Sequence, residues 1–253
     1  MNYVEKKVSI IMPTHNVSVF LEDTIQSVMR QTYSNWELII VDDASNDDTP
    51  HLIKRIANTD PRITYVLSII NQGAGISRNK ALSLANGQYI AFLDSDDLWE
   101  PEKLSQQISF MTEHNAPICH TSYQYVDENS ESTFGHVQVS LCVDLMSNLK
   151  NTEIGTSTAI IDRAVVVEPF SFKSLRARQD LQLWIDLLSK GYKSFGLNQT
   201  LVKYRVRGGS VSSNKFKMLV VTFKVYMGIS QLSFKARLTS YILYVVNAIK
   251  KRT

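Results

Sequence analysis

Residues 8–16 read VSIIMPTHN, a mostly apolar run that Pro13 ends and that polar residues follow. Such a short run with a turn signal at its end is typical of a buried strand. Three further apolar runs lie at residues 36–41, 63–68 and 89–93. Segments with helical spacing separate the four runs, and this βαβαβαβα order predicts a parallel, doubly wound α/β sheet.

The segments between these strands carry the start and end signals of helices. Ser18 is a candidate N-cap of the first helix. Thr49-Pro50 opens the second, since proline is favoured at the first helical position. We expect Asn86-Gly87 to end the third.

The second half of the chain is less regular. We expect strands over residues 118–126 and 156–161, with a polar loop at 127–135 after the first of them. A helix over residues 180–190 is ended by Gly191.

The end of the chain combines apolar and basic residues. Residues 202–207 alternate the two types, which predicts a strand with Val206 on an apolar face and Arg205 on a basic face. Two apolar and basic helices are expected at about 215–228 and 231–250.

The charge is unevenly distributed along the 253 residues. All 24 carboxylates lie at or before Asp186, whereas 13 of the 27 Lys and Arg residues follow it. A uniform nucleic-acid-binding surface is therefore not indicated, and we expect no nucleic-acid partner.

With 44% hydrophobic and 20% charged residues, the composition is that of a globular protein and excludes a disordered one. The length suits one large α/β domain or two small ones.

Cysteine usage and hydropathy indicate the compartment. Cys119 and Cys142 have the spacing of neither a disulfide framework nor a zinc site, and we expect both to be buried in a reducing compartment. The polar residues 1–7 predict no signal peptide. The longest uncharged stretch of the basic tail, 238–249, is shorter than the roughly 20 residues of a membrane span. We therefore expect a cytoplasmic protein.

Polar residues follow each of the four predicted strands. They are Thr14-His15-Asn16, Asp42-Asp43, the loop 71–75 leading to Arg78, and Asp94-Ser95-Asp96-Asp97. The carboxyl ends of parallel strands share one rim, and open α/β sheets bind their ligands there. We therefore expect these side chains to lie close together.

Asp94, Asp96 and Asp97 place three carboxylates within four residues. Unpaired carboxylates this close repel one another, and a divalent cation would relieve the repulsion. Oxygen ligands select Mg²⁺ or Mn²⁺ over zinc, and such ions take further ligands from substrate phosphates. Turn and N-cap chemistry is the alternative, since Asp and Ser favour both.

Further candidates each have a structural alternative. Asp42-Asp43 either caps a turn or accepts hydrogen bonds from a base or ribose. Arg78 is either a solvated helix residue or a diphosphate ligand at a helix N-terminus. Residues 73–78 resemble a GxGxxG dinucleotide loop but lack its third glycine, which is weak evidence for NAD. Asp180 either caps its helix or lies partly desolvated on a core-facing stripe, where it would be a better base.

Together these motifs resemble those of family 2 glycosyltransferases, which are inverting enzymes with the GT-A fold. The resemblance covers about residues 7–213 and rests on four motifs in order, at 8–16, 41–45, 71–79 and 93–97. Residues 178–184 (RQDLQLW) and 203–207 (KYRVR) narrow the resemblance to bacterial surface-polysaccharide transferases of the teichuronic acid, capsule and lipopolysaccharide type.

The resemblance implies how the donor binds. Asp43 would accept from the uracil of a UDP-sugar, His15 would stack on the base where the family commonly has Tyr, and Asp94 would face the ribose. Arg78 would meet the ribose-phosphate side of the nucleotide. The full set of implied nucleotide-binding residues is Pro13, Thr14, His15, Asn16, Asp43, Arg78, Asp94 and Ser95.

The resemblance also implies the chemistry. Asp96 would ligate Mn²⁺ or Mg²⁺ bridging the diphosphate, which stabilises the leaving group. Asp180 would act as general base on an acceptor hydroxyl, which attacks the anomeric carbon in one in-line displacement. Two positions depart from the family: Gln179 stands where Glu is frequent, and Arg207 where His is frequent. Arg207 could bind the diphosphate but cannot ligate a metal.

The implied organisation is a GT-A domain over residues 1–213, with a nucleotide-sugar-binding half (1–115) and an irregular acceptor-binding half (116–213). Residues 214–253 would form a basic, amphipathic helical extension. This extension suits peripheral contact with the inner face of the plasma membrane, where lipid-linked saccharide acceptors reside. Packing of the extension on the sheet or on a second subunit is the alternative.

Other enzyme and binding classes fit the motifs less well. A sugar nucleotidyltransferase would be expected to carry a glycine-rich basic loop after the first strand, where this chain has Pro13 and Thr14. An NAD oxidoreductase would have its glycine loop on that same strand. A non-catalytic binding module leaves the aspartate cluster unexplained.

Overall fold

The computed structural model describes residues 3–208 and 215–250. The first half alternates strands and helices as the sequence predicts. Its elements are β1 (Val4–Thr14), α1 (Ser18–Met29), β2 (Trp36–Asp42), α2 (Thr49–Ala57), β3 (Ile63–Leu67), α3 (Ala74–Leu84), β4 (Gly87–Phe92), β5 (Leu98–Trp99) and α4 (Lys103–His114). The second half consists of β6 (Ile118–Val126), β7 (Ser132–Val137), β8 (Cys142–Val143), α5 (Leu145–Asn151), a 3₁₀ turn (Thr156–Thr158), β9 (Ile160–Asp162), α6 (Gln179–Ser189), β10 (Ser194–Arg205), α7 (Lys215–Met227) and α8 (Phe234–Lys250).

Within the described ranges, the strands form one sheet in the order β3-β2-β1-β4-β9-β6-β10-β5, with β7 on β6 and β8 on β10. Strands β1 to β4 pair in parallel, and so do β6 and β10. The short β9 lies antiparallel between β4 and β6. The predicted α/β architecture with a mostly parallel sheet is confirmed, and β9 makes the sheet continuous between the two halves of the chain.

Helices cover both faces of the sheet, because successive side chains of a buried strand point to opposite faces. Ile10 and Met12 of β1 pack on one face with α1, α2 and α4. Ile11 of β1 and Phe92 of β4 pack on the other face with α3 and α6. The sheet is thus buried on both faces and doubly wound, and its strand ends are held in fixed positions.

Two of the predicted helix boundaries are wrong. Ser18 is the first residue of α1 and makes no capping hydrogen bond; its backbone N–H instead donates to Asp47 Oδ2 at 3.1 Å. Gly87 does not cap α3 but begins β4. A Cβ atom there would lie 2.5 Å from the carbonyl oxygen of Lys7, so glycine is needed for the close approach of β4 to β1.

The irregular region also differs from the prediction. The polar segment 127–135 is only partly a loop, because Ser132–Val137 forms β7 and returns antiparallel along β6. The strand predicted over residues 156–161 is a 3₁₀ turn followed by the short β9. Cys142 is exposed, whereas Cys119 is buried as expected.

Strand β10 does not have the simple two-faced pattern predicted from its alternation. Arg205, expected on the basic face, is buried, and Val206, expected on the apolar face, is 55% exposed. The strand ends at Arg205. The guanidinium of Arg205 turns inward, where backbone carbonyls accept from two of its nitrogens: Nε donates to Asp96, and Nη1 donates to Asp127 and Glu128.

Helices α7 and α8 confirm the two predicted C-terminal helices and pack together as an antiparallel pair, here called the C-terminal hairpin (215–250). Arg237 near the start of α8 donates to the carbonyl oxygen of Met227 at the end of α7, at 2.7 Å. The predicted boundary at 213–214 lies outside the described residues. Among residues 3–208 and 215–250, no helix is long and apolar enough to cross a membrane.

Candidate active site

The end of β1 forms one wall of the predicted rim. Pro13 and Thr14 are buried, and Thr14 Oγ1 donates to Asp42 Oδ1 at 3.2 Å. His15 and Asn16 are exposed beyond the strand. Asn16 has a left-handed backbone (φ 48°), and its N–H donates to Ser45 Oγ at 2.8 Å. The imidazole of His15 is therefore presented to solvent on a loop whose backbone is held.

Asp43 organises the loop that follows β3. Its carboxylate is 4% exposed and accepts from the backbone N–H of Gln72 at 2.8 Å and of Gly73 at 2.7 Å. Gly73 has φ 95°, which glycine adopts without a steric penalty. Each carboxylate oxygen retains a lone pair, so Asp43 can still accept from a ligand while it holds this loop.

Arg78 and Asp94 form an ion pair below the rim. Arg78 Nη2 lies 2.5 Å from Asp94 Oδ1, and the guanidinium is 5% exposed and faces the ring of Phe172 at 5.2 Å. When the Gln179 amide is oriented to match its neighbours, its oxygen accepts from Arg78 Nη1 at 3.1 Å. Arg78 therefore fixes Asp94 and reaches the residue before Asp180.

Asp96 is paired with the second predicted cation. Arg207 Nε lies 2.6 Å from Asp96 Oδ2, and the backbone carbonyl of Asp96 accepts from Arg205 Nε at 2.8 Å. Burial raises the pKa of Asp96, as does the negative charge of Asp94, whereas Arg207 opposes the rise. Two arginines, at the end of β10 and just beyond it, therefore bind the aspartate loop (residues 94–97).

The 3₁₀ turn links the aspartate loop to the predicted base. Ser157 Oγ donates to Asp97 Oδ2 at 2.5 Å and accepts from the N–H of Asp94 at 3.0 Å. The adjacent Thr156 donates through Oγ1 to Asp180 Oδ2 at 3.2 Å. Two neighbouring hydroxyl residues therefore hold the aspartate loop and Asp180 side by side, although more than 80 residues separate Asp94 from Asp180 in the sequence.

Tyr204 of β10 lies among these acids. Burial raises its pKa well above the ordinary value, and the charges of Asp97, Asp94, Asp180 and Asp96 add to that rise. The tyrosine ring also contacts Tyr123 and Tyr125 of β6, with ring centres 5.7 and 5.9 Å apart. All four carboxylates therefore lie near enough to Tyr204 for their charges to disfavour its ionisation.

Asp97 is almost completely buried. It is 1% exposed, and its Oδ1 accepts from the N–H of Arg205 at 2.9 Å. Burial raises its pKa well above the ordinary value, and the charges of Asp96 and Asp94 add to the effect. Its contacts are structural: it joins the aspartate loop to β10 and to the 3₁₀ turn.

The carboxylate oxygens of this site fit a hard divalent cation for which the protein supplies only some of the ligands. Within the described part of the chain, no group of three or more His, Cys, Asp or Glu side chains forms a ready metal cage. Mg²⁺ and Mn²⁺ need only one or two carboxylates when waters and substrate phosphates complete the shell. Asp96, with Asp94 beside it, supplies such carboxylates, and a cation there would relieve the repulsion that raises the pKa of Asp96.

Several residues of the site could not be read from the sequence. The residue pattern predicts a strand over Thr156 and Ser157 and places Arg205 on a basic face. It marks Asp97 only as part of the acidic cluster and Tyr204 only as an apolar strand residue. The run of hydroxyl residues Thr156-Ser157-Thr158 is the one signal that favours a turn over a strand.

Two solved structures share the fold of this chain. The chain aligns with Staphylococcus aureus TarS (residues 1–349, in complex with UDP-GlcNAc) at TM-score 0.75 and 19% identity, over 96% of this chain and 73% of that one. It also aligns with the mannosyltransferase PcManGT of Pyrobaculum calidifontis, in complex with GDP-Man and Mn²⁺, at TM-score 0.68 and 18% identity, over 97% and 72% of the two chains. The fold is therefore the GT-A fold.

The family follows from the sequence match. Residues 9–167 match Glycosyl transferase family 2, and the chain belongs to that family. It is 40% identical to TuaG of Bacillus subtilis (strain 168), a glycosyltransferase named for teichuronic acid biosynthesis, over 97% of both chains. It is 37% identical to WfgD of Escherichia coli, a UDP-Glc:alpha-D-GlcNAc-diphosphoundecaprenol beta-1,3-glucosyltransferase, over 96% of this chain and 94% of that one.

Proposed function

We propose that the protein is a metal-dependent, inverting transferase that moves a sugar from a UDP-sugar to a hydroxyl of a lipid-linked or polysaccharide acceptor in bacterial cell-surface glycan synthesis. The observation that carries the proposal is the 3₁₀ turn, on which Thr156 binds Asp180 and Ser157 binds Asp97. This turn sets a candidate base beside the acids expected to meet the donor diphosphate, as a single-displacement reaction requires.

The donor would lie along the rim from β1 to β4. His15 is exposed and can stack on the uracil, and Asp43 has acceptor capacity left for the base. Pro13, Thr14 and Asn16 line the β1 side of this proposed site. On the β4 side, Asp94 and Ser95 face the ribose. Arg78, which pairs with Asp94, contributes positive charge towards the ribose-phosphate side from a buried position.

Transfer would proceed at the junction of the two halves. Asp180 takes the proton of the acceptor hydroxyl. At the same time the oxygen of that hydroxyl forms a bond to the anomeric carbon. The bond between that carbon and the diphosphate oxygen breaks on the opposite face, so the configuration inverts. Thr156 donates to the same carboxylate and keeps one of its oxygens oriented.

Positive charge at the diphosphate would come from two sources. A bound Mn²⁺ or Mg²⁺, held by Asp96, supplies electrostatic stabilisation of the UDP leaving group. Arg207 is already at Asp96 and can turn its fork of N–H donors towards phosphate oxygens. Arg207 would therefore add positive charge at the diphosphate, but it cannot coordinate the metal.

The acceptor class is supported by the names of the relatives. TuaG is named for teichuronic acid, and WfgD for transfer from UDP-Glc to a diphosphoundecaprenol-linked GlcNAc. Both relatives match nearly the whole chain. We propose the corresponding organisation here: donor binding by residues 1–115, acceptor binding by 116–213, and a separate role for 214–253.

The C-terminal hairpin is the proposed contact with the inner face of the plasma membrane. Its helix α8 exposes an apolar stripe with i, i+4 spacing, formed by Phe234, Leu238, Ile242 and Val246. Residues 187–253 contain 13 Lys and Arg and no carboxylate. An apolar helical stripe in a purely cationic segment suits a leaflet with anionic lipids, where a lipid-linked acceptor would be within reach.

A donor and acceptor screen tests the proposal. The protein is incubated with Mn²⁺, a panel of UDP-sugars and lipid-diphosphate saccharides, and the products are analysed for the anomeric configuration of the new linkage. Transfer of one sugar with inversion supports the proposal. Thermal stabilisation by nucleoside triphosphates or NAD, with no stabilisation by UDP, would contradict it and favour another nucleotide enzyme.

A further inference from the structure

Helix α6, which begins next to Asp180, is enclosed on two sides. Leu183, Trp184 and Leu187 pack against the sheet. Leu181 and Ile185, on another face of the same helix, pack against the C-terminal hairpin. Movement of the hairpin would therefore change the packing of α6. The hairpin contributes none of the aspartates proposed for the active site.

Arg178 joins the start of α6 to both helices of the hairpin. Its Nε donates to Thr222 Oγ1 of α7 at 2.9 Å, and its Nη2 donates to the hydroxyl of Tyr244 of α8 at 2.6 Å. The guanidinium carbon lies 5.7 Å from the ring centre of Tyr244. Thr222 and Tyr244 are both buried, so these contacts are held rigidly within the packed interface.

The backbone of Arg178 fixes how α6 begins. Arg178 has φ 63° and ψ 18°, a left-handed conformation that is uncommon for a residue other than glycine. Its carbonyl oxygen accepts from the N–H of Gln182 at 3.0 Å, in the first turn of α6. Such a conformation persists only where the surroundings impose it, and the side-chain contacts to α7 and α8 supply that constraint.

We propose that Arg178 is a positioning residue, through which the C-terminal hairpin fixes the entry of α6 and thereby the direction of the Asp180 carboxylate. The inference rests on the proposed role of Asp180 as general base. Asp180 follows Arg178 by two residues, and Thr156 Oγ1 donates to its Oδ2 at 3.2 Å. One hydrogen bond leaves the carboxylate free to rotate about it, so its direction depends on the backbone at the helix start.

Arg178→Met removes both hydrogen bonds to the hairpin. We expect kcat to fall at least tenfold, with the donor KM and the Kd for UDP within twofold of wild type, because the partners of the Arg178 side chain, Thr222 and Tyr244, lie in the hairpin and not at the donor rim. Arg237→Met is the matched control, since Arg237 donates to the carbonyls of Leu232 and Met227 inside the hairpin. It should lower Tm by a similar amount and leave kcat within twofold. Unchanged kcat in Arg178→Met would overturn the proposal.

Two more conservative variants test the proposal if Arg178→Met does not fold. Arg178→Lys retains the charge, and Tyr244→Phe retains the ring while removing one hydrogen bond. In each, a several-fold loss of kcat at unchanged donor KM supports the proposal, and full kcat overturns it. In a double-mutant cycle, Tyr244→Phe should change kcat less than twofold once Arg178 is already Met. Fully additive losses in the cycle would mean that the hairpin acts by another route.

The comparison with Asp180→Asn separates this inference from the proposed function. If Asp180→Asn retains full transfer, the base assignment is wrong and the positioning role falls with it. If Asp180→Asn abolishes transfer while Arg178→Met retains it, only the positioning role is wrong. Loss of transfer in both variants, with UDP binding intact, supports both.

Discussion

Arg207 Nε lies 2.6 Å from Asp96 Oδ2, so the acid proposed to hold a metal already has a cationic partner. Both side chains are partly accessible, with 28% of Arg207 and 19% of Asp96 exposed. An accessible pair of this kind can open when a diphosphate offers the guanidinium other oxygens. We therefore expect the guanidinium of Arg207 to leave Asp96 and bind the diphosphate when the donor binds.

Arg207→Met should separate donor binding from metal binding. Loss of the guanidinium removes a charge-assisted contact to the diphosphate, so the donor KM should rise about tenfold. In the absence of nucleotide, Mn²⁺ should bind more tightly, because the competing cation at Asp96 is gone. Calorimetry and steady-state kinetics check the two effects, with Arg55→Met as control since Arg55 pairs with Glu22 on the exposed surface. Weaker Mn²⁺ binding in Arg207→Met would contradict the exchange.

Asp96→Asn should reduce turnover at least a hundredfold, because the neutral amide is a much poorer metal ligand. UDP binding should also lose its dependence on Mn²⁺, which titrations with and without the ion would reveal. Glu22→Gln removes a carboxylate from an exposed pair and serves as control. Wild-type turnover in Asp96→Asn would show that the metal assignment is wrong.

Asp180→Asn should bind UDP as wild type does and transfer sugar about 10²–10⁴-fold more slowly, as loss of a general base predicts. Asp186→Asn is a matched control, because Asp186 lies on the same helix and its side chain is 37% exposed. Product assays and UDP titrations on the two variants test the assignment. Persistent transfer in Asp180→Asn would place the base elsewhere.

Lys103 gives the folded protein a distinctive pH dependence. It is fully buried, its Nζ donates to Gln107 Oε1 at 2.6 Å, and burial lowers its pKa to about 7. The unfolded side chain keeps its proton up to the ordinary value of 10.5, so between these values the unfolded state binds more protons. Stability should therefore rise with pH above about 7, by up to about 1.4 kcal/mol per pH unit, and the cost of the buried charge is fully present below 7.

Lys103→Met tests this dependence. The difference in free energy of unfolding between wild type and Lys103→Met, measured by denaturant titration from pH 6 to 9.5, should move in favour of wild type as the pH rises. Curves that stay parallel throughout this range would show that Lys103 does not titrate near neutrality.

The exposed stripe of α8 makes a prediction about membrane binding. Leu238→Ser with Ile242→Ser should weaken sedimentation with anionic phospholipid vesicles about tenfold and change Tm little, since both side chains are exposed. Val19→Ser, at a more exposed apolar site on α1, is the control. Equal vesicle binding by all three proteins would exclude the hairpin as the contact. Truncation of the hairpin is a poorer test, because it would also uncover Leu181 and Ile185 of α6.

The first half of the fold was predictable because its signals are local. Buried strands of a parallel sheet are short apolar runs, and the helices between them keep a regular spacing. The residues after each strand could be assigned to one rim for the same reason, since parallel strands end on the same side. The wrong boundaries at Ser18 and Gly87 arose where distant partners, Asp47 and the backbone of Lys7, determine the local structure.

The family, the doubly wound sheet and the acids at the strand ends follow from the amino-acid sequence, because they depend on residue order and local spacing. The partners of those acids follow only from the packing of the folded chain. Arg78 pairs with Asp94, Arg207 with Asp96, and Ser157 with Asp97. A charge that the fold withdraws wholly or partly from water needs a counter-charge or donor wherever the packed chain brings one, and sequence distance carries no information about that meeting.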